Sequence, residues 1–515
     1  MNRLMGLETE YGLYVEGKDV TDLVEESRNI IKCWPGVFGT PWDYREESPL
    51  KDLRGFRAAQ LATNPEDELI EKLSRTAKPR TPHEDHVDRV LINGARLYND
   101  HGHPEYSTPE CLSLKDLVAH DKAGERIIFA CVQAYAKQTG NKVTLYKNNT
   151  DFHGMSYGCH ENYLMRRDVP FERLLAGLLP FLVTRIIFTG AGKVGVECNS
   201  EQINYQLSQR ADFFTELCSV DTLHKRPLIN TRDEPHADPQ YYRRLHIIAG
   251  DANMSEYATA LKLGTTALVV GVLEAGYEPP VTLKDPIAAI KQISRDPGCR
   301  WLVNTEEFGA ISAIEIQLAY LAAAEEQLAS LQVNKFASER QSLEEMKWVL
   351  REWEAVLNDL EADPRRLKDR LDWVAKRQLL EAFIGAEKLR WRNDALKSLD
   401  LEYHNIDAER GLFYGLQDEG AIRRLVSDEQ IQHAMQQPPK DTRAFIRGLC
   451  VSSFNSSLKA ISWGRIFLKR RAGPVDLDLK SLVDGEVAQL NDELAGSTLS
   501  RFVSMIQEAN VRRRE

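Results

Sequence analysis

Long apolar runs are missing from this 515-residue sequence. No window of about 18 uncharged apolar residues occurs, the length a membrane-spanning helix needs. The nearest stretches, Leu174 to Thr184 and Leu263 to Leu273, are too short and are bounded by charge. The opening MNRLMGLETEYG has no apolar core of signal-peptide length, so neither secretion, organelle import nor a membrane partner is expected. The eight cysteines are scattered without Cys-x-x-Cys spacing. That pattern argues against a structural zinc site and against a disulfide framework, and it fits a reducing cytoplasm. No long basic run is present, and 66 Lys+Arg against 77 Asp+Glu leave a net charge of -11. Nucleic acid is therefore not an expected partner. A P-loop is also absent, since Gly190-Ala191-Gly192-Lys193 lacks the spacing and the Ser/Thr after Lys, and reads as a turn.

What is present is ordinary globular composition, 43% apolar and 28% charged, in a chain long enough for a large domain with an appendage. The first half alternates in short segments between Gly, Asn and Pro. Candidate strands are Leu4–Val15, Arg89–Asp100, Lys142–Asn148, His160–Arg166 and Arg243–Gly250. After Asn253 the period becomes helical, with Ser255 as a cap and further helices over Ile314–Gln332, Ser342–Leu360 and Arg365–Ile384. The stretch 34–86 stands apart as a long insertion rich in Pro and charge, with Glu66–Ser74 as its one clear helical pattern. A Pro pair, Pro438-Pro439, divides residues 1–437 from a small C-terminal domain, 438–515.

Several strands carry charge on a face where a buried sheet would carry aliphatics. Glu8 and Glu10 share one face of the first strand, roughly 7 Å apart along it. Two carboxylates held side by side call for a cation, and hard oxygen ligands suit Mg²⁺; taken alone, this strand also fits an exposed polar sheet face. Arg96, Tyr98 and Asp100 share a face of a second strand, with Glu105 a few residues on. Arg244 and His246 share a face of a third, while Leu245 and Ile247 point away. Three such faces imply one shared polar cavity. Carboxylates, histidine and arginines together are the groups that phosphoryl transfer from ATP uses, with Asp100 available as base or nucleophile toward an amide. His101 and His103 flank this set on a turn, as ligands or as structural residues.

Seven strings in these regions carry a family resemblance: GLETEYG at Gly6–Gly12, NGARLYNDHGHPEYSTPEC at Asn93–Cys111, KNNTDFHGMSYGCHENYL at Lys147–Leu164, LSQRADF at Leu207–Phe213, INTRDEPHAD at Ile229–Asp238, YRRLHIIAGDANMSE at Tyr242–Glu256 and PPKDTRAFIRG at Pro438–Gly448. The chain resembles the Pup ligase and depupylase family, whose catalytic domain is similar to glutamine synthetase. The long insertion before Asn93, beginning with Thr40 to Phe56, looks like the depupylase branch.

The resemblance implies an α+β fold, a curved antiparallel sheet cradling ATP and backed by helices, with a small C-terminal domain. It places Glu8, Tyr98 and Glu105 at magnesium ions, with Glu10, His160 and His246 as further candidates, and Asp100 on the family's catalytic aspartate. Arg96 and Thr108 match nucleotide contacts, Arg232 and Arg244 phosphate or transition-state arginines, and Trp463 a tryptophan that packs on the nucleotide. The implied reaction is hydrolysis of the isopeptide bond between a Pup-like modifier and a substrate lysine, or deamidation of the modifier's terminal Gln, with Mg-ATP as cofactor. Pupylated proteins are then partners, with a possible link to a bacterial proteasome. The alternatives are a Pup ligase, a small-molecule γ-glutamyl ligase and a non-catalytic scaffold.

Overall fold

The computed structural model describes residues 3–61, 81–152, 154–197, 203–222, 225–330, 337–484 and 487–513. Nine strands form the main sheet: β1 (Met5–Glu10), β2 (Phe38–Gly39), β3 (Arg89–Leu91), β4 (Arg96–Asp100), β5 (His103–Ser107), β6 (Cys159–Arg166), β7 (Glu216–Ser219), β8 (Pro227–Asn230) and β9 (Tyr242–Ile247). They lie in the order β7-β8-β9-β6-β1-β5-β4-β3-β2. All neighbours are antiparallel except β7 with β8. The architecture is α+β, as expected.

One face of this sheet is apolar and the other polar, as period-two geometry requires. Met5 and Leu7 of β1, Cys159, Tyr163 and Met165 of β6, and Leu245 and Ile247 of β9 are buried against the helices Phe171–Thr184, Glu256–Glu274, Ala313–Ser330 and Ala337–Ala362 in the largest hydrophobic core. Each fully buried aliphatic there contributes about 1.5–3 kcal/mol. The Glu256–Glu274 helix begins where Ser255 accepts a hydrogen bond from the Ala258 amide, the cap expected from sequence. By length and composition it could cross a membrane, but it is the core helix of this fold, with 94% of its apolar window buried.

Several strand and helix boundaries differ from expectation. Leu4–Val15 is two strands: after Tyr11 the chain turns into Gly12–Val15, which pairs with Val143–Tyr146 in a separate two-stranded sheet. Arg89–Asp100 is a hairpin, because Asn93-Gly94 makes a turn in which Gly94 takes φ 79° and Asn93 Oδ1 accepts from the Ala95 amide. Arg365–Ile384 breaks into a 3₁₀ turn at Pro364–Leu367, capped by Asp363, and a helix at Asp372–Glu387. The expected helix at Glu66–Ser74 lies outside the described residues. Residues 337–362 extend the expected Ser342–Leu360 helix at both ends.

The first part of the insertion forms a strap along the sheet rather than a free loop. Phe38–Gly39 adds the edge strand β2 beside β3. The Ser48 amide donates to Glu234, Lys51 pairs with Asp233 at 2.8 Å, and the Leu53 amide donates to the Thr231 carbonyl. Trp42, on the same strap, joins a second core. That core otherwise comes from the three-stranded antiparallel sheet Leu458–Ile461, Arg465–Leu468 and Val475–Asp478, and the helices Ala444–Ser453, Val487–Leu494 and Leu499–Arg512.

Candidate active site

The polar face of β1, β4, β5, β6 and β9 gathers Glu8, Glu10, Tyr98, Asp100, Glu105, His160, Arg244 and His246, all expected from the sequence. Cross-strand register does this directly: Glu8 sits opposite His160, Glu10 opposite Glu105, Tyr98 opposite Glu105, and Asp100 opposite His103. Two groups of three result, Glu8 with His160 and His246, and Glu10 with Asp100 and Glu105, the ligand atoms in each group lying within 4.8 Å of one another.

In the first group Glu8 Oε2 stands 3.3 Å from His160 Nδ1 and 3.4 Å from His246 Nε2. Glu8 Oε1 accepts from Asn162 at 3.0 Å and lies 3.4 Å from Arg244 Nη1. Burial raises the Glu8 pKa, but His246, His160 and Arg244 outweigh it and hold the carboxyl well below its ordinary value. Burial, reinforced by Arg244, drives His246 down to about 3, so its ring is neutral and able to act as a ligand. Both ring nitrogens of His246 are buried without a hydrogen-bond partner. Such orphaned groups are costly unless a ligand satisfies them.

In the second group, burial and then Asp100, Glu8 and Glu10 raise Glu105 well above the ordinary carboxylate range. The Tyr98 hydroxyl donates to Glu105 Oε1 at 2.6 Å, and its own pKa is raised by burial and by Glu105 and Asp100. Asp100 is held below its ordinary pKa despite burial, by His101, His86, Arg232 and His160. It is therefore ionised at neutral pH. The Gly158 amide donates to Glu10 Oε2 at 2.9 Å, and Gly158 is required there: a Cβ would meet His160 Nε2 at 2.1 Å and Glu10 Oε1 at 2.8 Å. A purely carboxylate cluster suits a hard divalent cation, and the mixed cluster beside it accepts one as well.

A cleft opens beside the Glu8 cluster, enclosing about 570 Å³ including its solvent-filled mouth. Glu8 and Arg244 stand on its wall, as do Gly6, Thr108, His236, Arg443 and Trp463. Thr108 faces Gly6, and its hydroxyl accepts from the Leu7 amide at 3.0 Å. Trp463 is fixed by Arg447, 4.9 Å from its ring, and by Trp42, edge-on at 5.2 Å.

Arg96 does not line this cleft. Its Nε and Nη2 both donate to Asp88 Oδ1, at 2.9 and 2.5 Å, and its guanidinium lies over the rings of Tyr98 at 3.9 Å and Trp42 at 4.1 Å. Arg232 stands outside the cleft too, its Nε buried and without a partner, and its charge acts on Asp100. His101 is exposed on the turn at φ 44°, while His103 stacks on Tyr157 at 4.6 Å, so neither joins the two clusters.

Sequence reasoning missed Asp88, Tyr44 and Arg210. Tyr44 donates to Asp88 Oδ2 at 2.5 Å and so ties the strap to Arg96. Arg210 is buried, its Nε unpartnered and its pKa brought to about 10 by burial and by Arg226, and it feels the charge of Glu10. Its signal was the LSQRADF string, where a lone Arg among polar residues has no period to place it.

Comparison with known proteins decides the family. The model of the Pup-ligase protein family matches residues 3–467. The chain belongs to this family. It is 42% identical to the depupylase of Acidothermus cellulolyticus over 474 residues, covering 90% of this chain and 91% of that one. It is 40% identical over 474 residues to the Pup deamidase/depupylase of Mycolicibacterium smegmatis, with the same coverage. The Pup–protein ligase of Acidimicrobium ferrooxidans is 44% identical over 392 residues, covering 74% of this chain and 84% of that one. Among solved structures, the Pup ligase PafA in complex with Pup superposes with a TM-score of 0.77 at 32% identity, covering 98% of this chain and 94% of that one. PafA in complex with ADP gives 0.72 at 34% identity, covering 85% and 96%.

Proposed function

We propose that this protein is a depupylase and Pup deamidase that hydrolyses the amide on the C-terminal side chain of a Pup-like modifier, with Mg-ATP as cofactor. The carrying observation is the ionised Asp100 in one of two adjacent clusters suited to a cation, the other of which has Glu8 on the wall of the cleft that Trp463 also lines. Relatives named depupylase match over 90% of the chain, whereas the Acidimicrobium ferrooxidans ligase match spans 74%.

In this reading Trp463 and Thr108 would hold the base of the nucleotide, and Glu8 and Arg244 would face its phosphates. Glu8, Tyr98 and Glu105 would hold Mg²⁺, with Glu10, His160 and His246 completing the two clusters. A bound Mg-nucleotide supplies charge neutralisation and polarised phosphate oxygens. The chain's own residues do the rest. His101, His86 and Arg232 keep Asp100 charged. The carboxylate would attack the amide carbonyl, expelling the lysine amine or ammonia and leaving an anhydride that water hydrolyses, or would take a proton from the water that attacks that carbonyl as the amine leaves. Both routes need that charge. Arg96, fixed by Asp88, holds the Tyr98 ring in place. Arg244 and Arg232 offset charge developing on the carbonyl oxygen or phosphate.

Residues 1–437 form the catalytic part in this reading, and 438–515 a small domain that closes the cleft through Trp463. Partners are the modifier and pupylated proteins, with a link to a bacterial proteasome. A reducing, cytoplasmic setting suits the free cysteines among the described residues. Incubating the protein with ATP and Mg²⁺, together with either a preformed modifier–protein conjugate or free modifier and an acceptor protein, separates the two family activities. Conjugates that vanish support hydrolysis, and conjugates that accumulate support the ligase instead.

A further inference from the structure

The three parts of a nucleotide present three chemistries: a flat base, a pair of hydroxyls and a run of anions. Trp463 suits the first, and Glu8, with the cation it would hold, and Arg244 the last. Between these ends the cleft wall carries His236, which the reading above leaves without a role.

His236 is an unusual residue to find there. Its φ of 50° lies in the left-handed region, a strained backbone for any residue with a Cβ. Two arginines hold it so from either side: Arg443 Nη1 donates to the His236 carbonyl at 2.6 Å, and Arg244 Nε donates to the Glu234 carbonyl at 3.1 Å. The C-terminal segment closes behind it, where a Cβ on Gly464 would lie 3.3 Å from the same carbonyl. Among the described residues no group hydrogen-bonds the imidazole itself. A backbone held under strain thus presents a ring with no protein partner to a cleft.

The ring's position and charge narrow its ligand. Arg244, which reaches Glu8, binds the backbone two residues upstream, while Arg443 and Gly464, the neighbour of Trp463, meet the carbonyl of His236 itself, so the residue lies between the two ends. Burial, then Arg244 and Arg443, push its pKa well below the ordinary histidine value, so it is neutral. A neutral imidazole offers one donor and one acceptor, which complements hydroxyls and gives a phosphate no charge to pair with.

We propose that His236 is a positioning residue that reads the ribose, hydrogen-bonding the sugar hydroxyls and so setting the nucleotide's register between Trp463 and the Glu8 cluster. This rests on the nucleotide reading above. It makes the protein selective for ribonucleotides over deoxyribonucleotides.

The test is calorimetric binding of ADP, 2′-deoxy-ADP and 3′-deoxy-ADP, each with Mg²⁺, to the full-length chain and two variants. His236→Gly removes the ring at no backbone cost, because glycine accepts φ 50°. His236→Asn tolerates that backbone and keeps a hydrogen-bonding group. The wild-type chain should bind ADP about tenfold more tightly than at least one deoxy analogue. His236→Gly should lose about tenfold on ADP while binding that analogue as the wild type does, and His236→Asn should fall between. A wild type that binds all three alike overturns the ribose assignment and leaves the nucleotide site standing; so does a Gly variant that keeps its discrimination. A wild type that binds none of them overturns the nucleotide reading, and this inference with it.

Discussion

The Tyr98 hydroxyl donates to Glu105 Oε1 across the β4–β5 pair at 2.6 Å, between residues directly opposite in register. This one contact links the strand that carries Asp100 to the carboxylate cluster that Asp100 joins. It holds Glu105 toward Glu10 and Asp100 although all three repel. Tyr98→Phe should therefore leave the fold intact and weaken Mg²⁺-dependent ADP binding several-fold, for want of one hydrogen bond, worth about 0.5–1.5 kcal/mol. Calorimetric titration with and without Mg²⁺ checks this.

Divalent cation and nucleotide should stabilise the fold together. A ligand at about 100 times its Kd adds about 2.7 kcal/mol, so Mg-ADP should raise the melting temperature and EDTA should abolish most of the rise. Glu8→Gln and His246→Ala, each removing a ligand from the mixed cluster, should lose the Mg²⁺-dependent part. Differential scanning calorimetry distinguishes this from a cation that binds elsewhere, for which both variants would shift as the wild type does.

Asp88 is fully buried against Arg96. Removing one partner of a buried ion pair costs about 3–5 kcal/mol, because the other charge is left uncompensated. Asp88→Ala should show that loss in chemical denaturation. Asp88→Glu should recover part of it. Arg96 and Tyr44 are the groups left unpaired, so the strap should also become more open to proteolysis near Tyr44.

Glu110 gives a pH signature. Burial would raise its pKa, but Arg447 and Arg443 outweigh burial and bring it to about 2, against an ordinary value near 4.5. A carboxylate depressed on folding adds stability above its ordinary pKa and loses it as pH falls through the folded value. The ion triad should thus weaken progressively from about pH 4.5 toward 2, by about 3 kcal/mol in all. Arg443 stands at the start of the helix Ala444–Ser453 and Arg447 lies within it and donates to the Trp463 carbonyl, so the cleft's far wall loosens first. In Glu110→Gln the wild type's slope over this window should be absent, as read by melting temperature against pH.

The site's strands were legible in the sequence because a sheet with one apolar face leaves its charges in period two. Glu8, Arg96–Tyr98–Asp100 and Arg244–His246 each share a face in the chain and in the fold. Register was not legible: that Glu10 meets Glu105, and Glu8 meets His160, depends on pairings far apart in the sequence. The same limit hid the hairpin at Asn93-Gly94 inside an apparently continuous strand, although its turn residues were in view. Trp34–His86 read as a loop because its bonds go to Thr231, Asp233 and Glu234, long-range partners that leave no local period. Arg210 and His236 were hidden for another reason, since one gains its meaning from a buried, unpartnered Nε and the other from its place on the cleft wall.

The most direct test incubates the purified chain with ATP, Mg²⁺ and a Pup–protein conjugate, followed by gel shift, in parallel with Asp100→Asn. The account expects conjugate to disappear and free substrate to appear with the wild type, and neither to happen with Asp100→Asn while that variant still binds ADP. Conjugate that persists with the wild type, or appreciable cleavage by Asp100→Asn, would contradict it.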